Sequence, residues 1–486
     1  MACIDRVRAC GYAWGMSTSV TAADKFQKDT KTSTADFEHR RWMQNALHGY
    51  EQTRGGTEAT FGDFEAARRT AAAIKWEAIE GLDTYLAAFA DQLAARGTHV
   101  HWAGNGAEAV AAILEVCRAH DAKKIIKSKC MTTEEIHLNP ALEAAGMEVV
   151  ESDLGEYIVQ LRGEDPFHFV FPAMHLKRDK ISSIFEEKLG SEPSADPEEL
   201  TMIARRVMRQ KYCEADIGIS GANFAVAETG MISITENEGN ARLTTSLPKV
   251  HIAVLGIEKV VPKLEDLSVM LQMLGTAGTG QWLTAYNSMI GGPRQPDEVD
   301  GPEEFHVVLL DNHRTRLLAD PEQRDALRCI RCGACLNVCP IFKNIGGHNY
   351  GTTYQGPIGS VITPHLRGLQ SFKHLSYSSS LCGACTETCP VKIDLHHHLM
   401  RNRRNAVMEK KGGAEAWMFR RFAGLMTKPR VYRGGEGLMR VGAWLWRPLK
   451  GTRLDPLKAW TASRDLPAPA PKSFMKQWQE REGGAK

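Results

Sequence analysis

No stretch of the 486-residue chain holds about 18 consecutive apolar residues, so no bilayer-spanning helix is expected. The first residues carry Arg6 and Arg8 but lack the apolar core of a signal peptide. Met16 opens a polar leader of ordinary type, so residues 1–15 read as an over-extended start, leaving Cys3 and Cys10 without function. A dinucleotide fingerprint is missing too. The nearest candidate, Gly275-Thr-Ala-Gly278-Thr-Gly280, has the wrong spacing and a helix before it rather than after it. Apart from two cysteine motifs there is no long internal repeat. Scattered cysteine is also scarce: of 12 cysteines, only Cys3, Cys10, Cys117, Cys130 and Cys213 stand singly. With no secretion signal the expected compartment is cytoplasmic and reducing, where clustered cysteines are metal ligands rather than disulfides.

What is present fits a globular protein of two or three domains, since one hydrophobic core rarely organises so long a chain. Hydrophobic residues make up 43% and charged residues 24%, an ordinary balance. The net charge of +2 hides an asymmetry. From Arg401 to Lys486 there are 20 Lys+Arg against 7 Asp+Glu, so the rest of the chain is acidic. A basic tail on an acidic body suggests an acidic partner, an anionic lipid surface or docking on the body itself. Its charges are spread among Trp and Leu, which makes nucleic acid the weaker reading.

Residues 1–60 are polar and without sustained periodicity, and are expected to be partly flexible. A helix is predicted from Phe61 to about Arg96. Strands then alternate with helices: strands at Thr98–Ala103, Lys124–Lys127, Met147–Glu151, His168–Pro172, Gly230–Thr235, Val250–Leu255 and Phe305–Leu310, helices at Ala107–His120, Asp179–Leu189 and Pro197–Tyr212. Another helix begins at Thr132, where Thr132 and Glu135 offer a capping box. Alternation of this kind argues an α/β domain over 61–315, with a mostly parallel sheet covered on both faces. A small ferredoxin-like module follows over 316–411, closed by a helix at Leu395–Lys411. Residues 412–486 form a basic amphipathic helical tail, interrupted by the Pro/Ala segment Leu466–Pro471.

The first motif is Cys329-Ile-Arg-Cys332-Gly-Ala-Cys335-Leu-Asn-Val-Cys339-Pro340. Its spacing is the bacterial ferredoxin run, in which three cysteines wrap one cubane and the fourth ligates the other. Two-residue gaps let a tight loop aim three thiolates at three irons. Gly333 permits close backbone approach, and the proline removes an amide donor and keeps the chain from coiling back. Structural zinc is the competing use of Cys-x2-Cys pairs, but the register of four ending in Cys-Pro disfavours it. The second motif, Leu381-Cys382-Gly-Ala-Cys385-Thr-Glu-Thr-Cys389-Pro390, puts Ser379 where the leading cysteine belongs. Crossed pairing assigns Cys329, Cys332, Cys335 and Cys389 to one [4Fe-4S] cluster, and Cys339, Cys382 and Cys385 to the other. The second then lacks a thiolate. It is a four-iron cluster finished by Ser379, water or another side chain, a three-iron cluster, or one with a borrowed ligand. The expectation is the four-iron form with Ser379 not ligating. Two adjacent clusters make an electron wire.

Other candidates carry plainer alternatives of at least equal weight. The segment Asp216–Arg242 has small residues around a strand that can cradle a phosphate or carboxylate, or simply pack closely. Glu228 and Glu238 are candidate carboxylates, although acids at strand ends are usually just solvated. Lys127-Ser128-Lys129 is a possible anion contact. His396, His397 and His398 can tune the incomplete cluster, but a solvated or partner-facing helix start is the expected role; His348 and Tyr350 have no stronger claim. Trp417, Phe419, Phe422, Trp444 and Trp446 alternate with Arg420, Arg421, Arg430, Arg433, Arg440 and Arg447, for packing on the body or a partner, with peripheral membrane contact at the inner membrane as the lesser option. No residue is assigned a catalytic role.

The run Lys127–Asn139, the segment Gly218–Arg242 and the two Cys-Pro motifs, in this order, resemble the lactate-utilisation protein B family. The likeness covers about residues 25–465, basic tail included. It implies a LUD-type α/β domain with the fold of the sugar-phosphate isomerase and CoA-transferase group, two [4Fe-4S] clusters, and the role of iron–sulfur electron-transfer subunit in a system oxidising L-lactate to pyruvate. It also implies two partner subunits, one with CCG repeats, which this chain lacks. The competing readings are an iron–sulfur subunit of a related 2-hydroxy-acid or glycerol 3-phosphate dehydrogenase, whose CCG repeats would sit in the same chain, and a ligand-binding α/β protein with redox-sensing clusters.

Overall fold

The computed structural model describes residues 21–410, 412–455, 457–461, 464–467 and 470–483. The over-extended start expected at 1–15, and part of the Pro/Ala segment, lie outside the described residues. The chain divides into two compact units, one ending at Ala406 and the other beginning at Val407.

The larger unit is built on a six-stranded, all-parallel sheet. Its strands are β1 (His99–Ala103), β2 (Lys124–Lys127), β3 (Glu148–Glu151), β4 (Ile217–Ser220), β7 (Val250–Gly256) and β10 (Glu304–Leu310), in the order β1-β10-β7-β4-β2-β3. Every residue of β4 and β7 is buried, as expected for strands covered by helices on both faces. A second sheet, β8-β5-β6-β9, joins β5 (Phe224–Val226), β6 (Met231–Glu236), β8 (Val260–Val261) and β9 (Tyr286–Ile290). It is mixed: β5 pairs β8 in parallel, while β6 is antiparallel to β5 and β9.

Three local expectations change. The long helix predicted over 61–96 is two helices, Phe64–Glu80 and Leu82–Ala95, broken at Gly81. His168–Pro172 is a looped segment rather than a strand, closed by Phe167 N–H donating to the Pro172 carbonyl at 2.9 Å; its aromatic side chains pack between the α/β domain and the cysteine module. The Thr132/Glu135 capping box does not form. That helix starts at Met131, Thr132 is buried inside it, and the Glu135 carboxylate pairs with Arg314 at 2.9 Å.

Residues 22–59, which show little periodicity, form the helices Ala22–Ala35 and Phe37–Ala59. Few of their apolar side chains are buried, Met43 and Leu47 among them, and polar and aromatic contacts fix the rest. Lys343 pairs with Glu51 at 2.6 Å and Tyr50 stacks on Phe171 at 4.1 Å. No described helix is long and apolar enough to cross a membrane. In the smaller unit, Ala414–Met426 and Pro429–Trp446 are helical and leave Trp417, Phe422 and Trp444 exposed.

Candidate metal centre

The two cysteine motifs trace the same backbone path. In the first, Arg331 (φ 60°) and Gly333 (φ 82°) are left-handed, and the short helix Ala334–Asn337 carries Cys335. In the second, Leu381 (φ 56°) and Gly383 (φ 85°) take the same turns before the helix Ala384–Glu387, which carries Cys385. The correspondence extends to the leading residue. Arg331 N–H donates to Cys329 Sγ at 3.4 Å, and Leu381 N–H donates to Ser379 Oγ at 3.1 Å. Ser379 thus stands in the place of Cys329 with an oxygen instead of a sulfur.

Cys329, Cys332, Cys335 and Cys389 line one small cavity, although Cys389 is 54 positions beyond Cys335. The other lining residues are mainly apolar, including Phe169, Ile358, Val391 and Leu395. Main-chain amides face the sulfurs: besides Arg331, Ile393 N–H donates to Cys389 Sγ at 3.3 Å. Burial pushes the Cys332 thiol up to about 12, with Cys329 and Cys389 adding to the rise. Cys389 is raised to about 11, again by burial first and with Cys329 contributing. Crowded thiols of this kind ionise together only when a cationic centre replaces their protons.

Cys339, Cys382 and Cys385 form a second group. Burial pushes the Cys385 thiol up to about 12, followed by Cys339 and Cys382. Cys339 is raised by burial and by Cys382, against backbone hydrogen bonds from Phe342 and Ile341 that lower it. Cys382 is exposed, whereas Cys332, Cys335, Cys385 and Cys389 are buried. The buried Tyr350 ring lies beside this group and is influenced by both Cys339 and Cys335.

The donor set fits iron–sulfur ligation: sulfur ligands from both motifs, a dry apolar wall, and amide donors aimed at sulfur, the groups that set cluster potentials. The helix Phe64–Glu80 braces it. Arg68 donates to the Cys389 carbonyl at 2.8 Å (Nη2) and 3.1 Å (Nε), and to the Glu387 carbonyl at 2.6 Å.

The histidines divide. His396 meets Thr386 Oγ1 at 2.7 Å and His397 meets Asp394 at 2.8 Å, both near solvent. His398, expected to be solvated, is instead fully buried with Nε2 2.8 Å from Asp325. His348 meets the Asp165 carbonyl at 2.8 Å. Glu228 is exposed and accepts from Leu264 N–H at 2.9 Å, a structural contact. Lys127 is no anion contact, being buried between Glu151 (2.8 Å) and Glu134 (3.0 Å).

A second, larger cavity of about 320 Å³ adjoins the first. It opens where loops leave the carboxyl ends of β2 (Ser128, Lys129, Cys130), β3 (Asp153), β4 (Gly221, Asn223) and β7 (Lys259). This is the place where open α/β sheets bind ligands. Arg331 and Cys332 of the first motif form part of its wall. Behind them lies a buried ion network. Arg314 pairs with Glu135 at 2.9 Å and with Glu258 at 2.5 Å, and Arg331 Nη2 reaches Glu258 at 3.2 Å. The Tyr354 hydroxyl donates to Glu135 at 2.6 Å, and Lys75 donates to the carbonyls of Glu258 (2.5 Å) and Val260 (3.0 Å). Sequence reasoning missed Lys259, Arg331 and Glu258; only the fold brings Ile257–Lys259 against Arg331.

Three family descriptions match the chain: LUD domain over 86–310, 4Fe-4S dicluster domain over 325–393, and Lactate utilisation protein B, C-terminal, over 393–483. A Lactate utilization protein B of Bacillus velezensis is 43% identical, covering 93% of this chain and 98% of its own. That of Geobacillus kaustophilus is 46% identical over 91% and 95%, respectively. A crystal structure of a DUF162 family protein from Deinococcus radiodurans covers 47% of this chain and 98% of its own at 15% identity with a TM-score of 0.27, a likeness too loose to carry argument. An α/β domain with a mostly parallel sheet, a ferredoxin-like cysteine module and a helical tail, matched along nearly their whole length by these relatives, make the chain a member of the lactate utilization protein B family, with iron–sulfur clusters as its cofactors.

Proposed function

We propose that the chain is the iron–sulfur electron-transfer subunit of a multi-subunit system oxidising L-lactate to pyruvate. Cys329, Cys332, Cys335 and Cys389 hold one [4Fe-4S] cluster, and Cys339, Cys382 and Cys385 hold three corners of a second. The observation that carries the reading is the single cavity lined by four cysteines from two distant motifs. When bound, the clusters supply one-electron carriers. The chain's own residues hold them by thiolate, keep water from the first site with Phe169, Ile358 and Leu395, and direct main-chain amides at Cys329 and Cys389.

The two sites differ in access, which supports a direction of use. The first group abuts the larger cavity, while Cys382 of the second is exposed. The second group is thus the side offered to a redox partner. Two further subunits, one with CCG repeats, complete the system, and the exposed aromatics Trp417, Phe422 and Trp444 offer them an apolar surface.

Anaerobic purification with all co-purifying chains identified, followed by iron and sulfide analysis and EPR of the dithionite-reduced protein, tests this reading. About eight irons per chain, reducible, with the two partners present, is the expected result. Zinc in place of iron, or unchanged growth on L-lactate after gene deletion, would overturn it.

A further inference from the structure

The cavity at the carboxyl ends of β2, β3, β4 and β7 has a cationic wall that the chain itself does not satisfy. Arg331 has a side chain only 9% exposed. Its Nη2 reaches Glu258, its guanidinium lies 4.6 Å over the Tyr354 ring, and its Nη1 is buried without a hydrogen-bond partner. Lys259 lines the same cavity and makes no side-chain hydrogen bond or ion pair among the described residues. The carboxylates within reach are already engaged: Glu258 is held by Arg314 as well as Arg331, and Glu135 by Arg314, Asn312 and Tyr354. Two carboxylates, Glu135 and Glu258, thus stand against three cations, Arg314, Arg331 and Lys259, and this spare positive charge at the cavity wall marks a place for an anion. The rest of the polar lining includes Asp153, Glu236 and Glu238, acceptors suited to a ligand's hydroxyl.

We propose that this cavity binds a small organic carboxylate of the 2-hydroxy or 2-oxo acid class, its carboxylate taken by Arg331 and Lys259 beside Cys332. Arginine and lysine together match this group: the guanidinium presents a planar fork and the ammonium a point charge. The site rests on the proposed function for the choice of acid and for the presence of a cluster at Cys332. That link has a physical consequence. Neutralising the Arg331 charge next to Cys329 and Cys332 disfavours extra negative charge there, so ligand binding and reduction of the first cluster oppose one another, reciprocally.

Isothermal calorimetry on the anaerobically purified full chain, titrated separately with L-lactate, pyruvate and inorganic phosphate, tests the site. An EPR-monitored redox titration of the same samples follows. Saturable binding of L-lactate or pyruvate is expected, weakened at least tenfold by Lys259→Met and less by Arg331→Lys, with a more negative midpoint potential when the carboxylate is bound. If Lys259→Met fails to fold, Arg331→Lys carries the comparison. Binding in protein that assembles no clusters would support the site while overturning the proposed function. Intact clusters with no saturable heat would overturn the site, the spare cations then serving only the thiolates. Tighter binding of phosphate than of either acid would overturn the carboxylate class.

Discussion

Both cysteine motifs turn through a left-handed residue, Arg331 or Leu381, and then a left-handed glycine, Gly333 or Gly383. Their surroundings differ. A Cβ at Gly333 would meet Val170 Cγ2 at 2.8 Å and His168 Cε1 at 3.0 Å, whereas nothing lies within 4 Å of one at Gly383. The first motif is pressed into the α/β domain, its Arg331 tied to Glu258. The second sits at the surface with Cys382 exposed. One backbone path thus serves two tasks: a buried position coupled to a ligand cavity, and an accessible one facing outward.

The largest contrast is expected between Cys335→Ser and Cys382→Ser. Cys335 is buried in the core shared by module and α/β domain. Its loss should remove about half the bound iron and lower the melting temperature sharply, because metal binding free energy is folding free energy. Cys382→Ser should disturb only the second site, leaving the first cluster's EPR signal and most of the thermal stability. Equal melting temperatures for the two variants would break the comparison.

Next comes the glycine pair. Alanine at either position bears the left-handed penalty, about 1–2 kcal/mol. Gly333→Ala adds overpacking against Val170 and His168, a further 1–3 kcal/mol or so. Denaturant unfolding of anaerobic protein should therefore rank Gly333→Ala well below Gly383→Ala, and the reverse order would mean that the first motif is not wedged as described.

Much of this was legible beforehand, for physical reasons that differ by element. The cysteine spacing encodes the shared cavity because ligand geometry is local, and β2 and β7 announce themselves as short apolar runs bounded by polar residues. His168–Pro172 misleads because its aromatics satisfy a strand pattern while packing against the cysteine module, a tertiary choice that propensity does not see. The N-terminal helices escape notice since polar contacts such as Lys343–Glu51, rather than a continuous apolar stripe, hold them. Lys259 and Arg331 are 72 positions apart, and no pattern in either neighbourhood signals that both face one cavity.

A smaller effect is expected at Ser379. With Ser379 not ligating, Ser379→Ala should leave the four-iron content and EPR line shape of the second site unchanged, at the cost only of the Leu381 N–H contact. Ser379→Cys restores the position of Cys329 and should lower the second site's midpoint potential by adding a thiolate's negative charge. Conversion of Ser379→Ala protein to a three-iron signal would show that the hydroxyl is a ligand after all.

The smallest effect falls on the left-handed residues themselves. Leu381→Gly relieves a backbone penalty of about 1 kcal/mol and incurs a comparable one by loosening the unfolded chain. These two terms cancel, and what remains is the packing of the half-buried Leu381 side chain against the core, so a loss of about 1 kcal/mol is expected. Arg331→Gly has the same two backbone terms, and they cancel in the same way. What remains is the loss of the 3.2 Å contact to Glu258 and of the guanidinium over Tyr354. Glu258 keeps Arg314, so the charge is not stranded, and the loss should be nearer 1–3 kcal/mol, the range for breaking a buried charged hydrogen bond. The excess loss in Arg331→Gly over Leu381→Gly, measured by denaturant unfolding under identical anaerobic conditions, reports what the Arg331 contacts contribute beyond side-chain packing of the kind Leu381 makes. Matching values would mean that Arg331 is held in place for the cavity rather than for the fold.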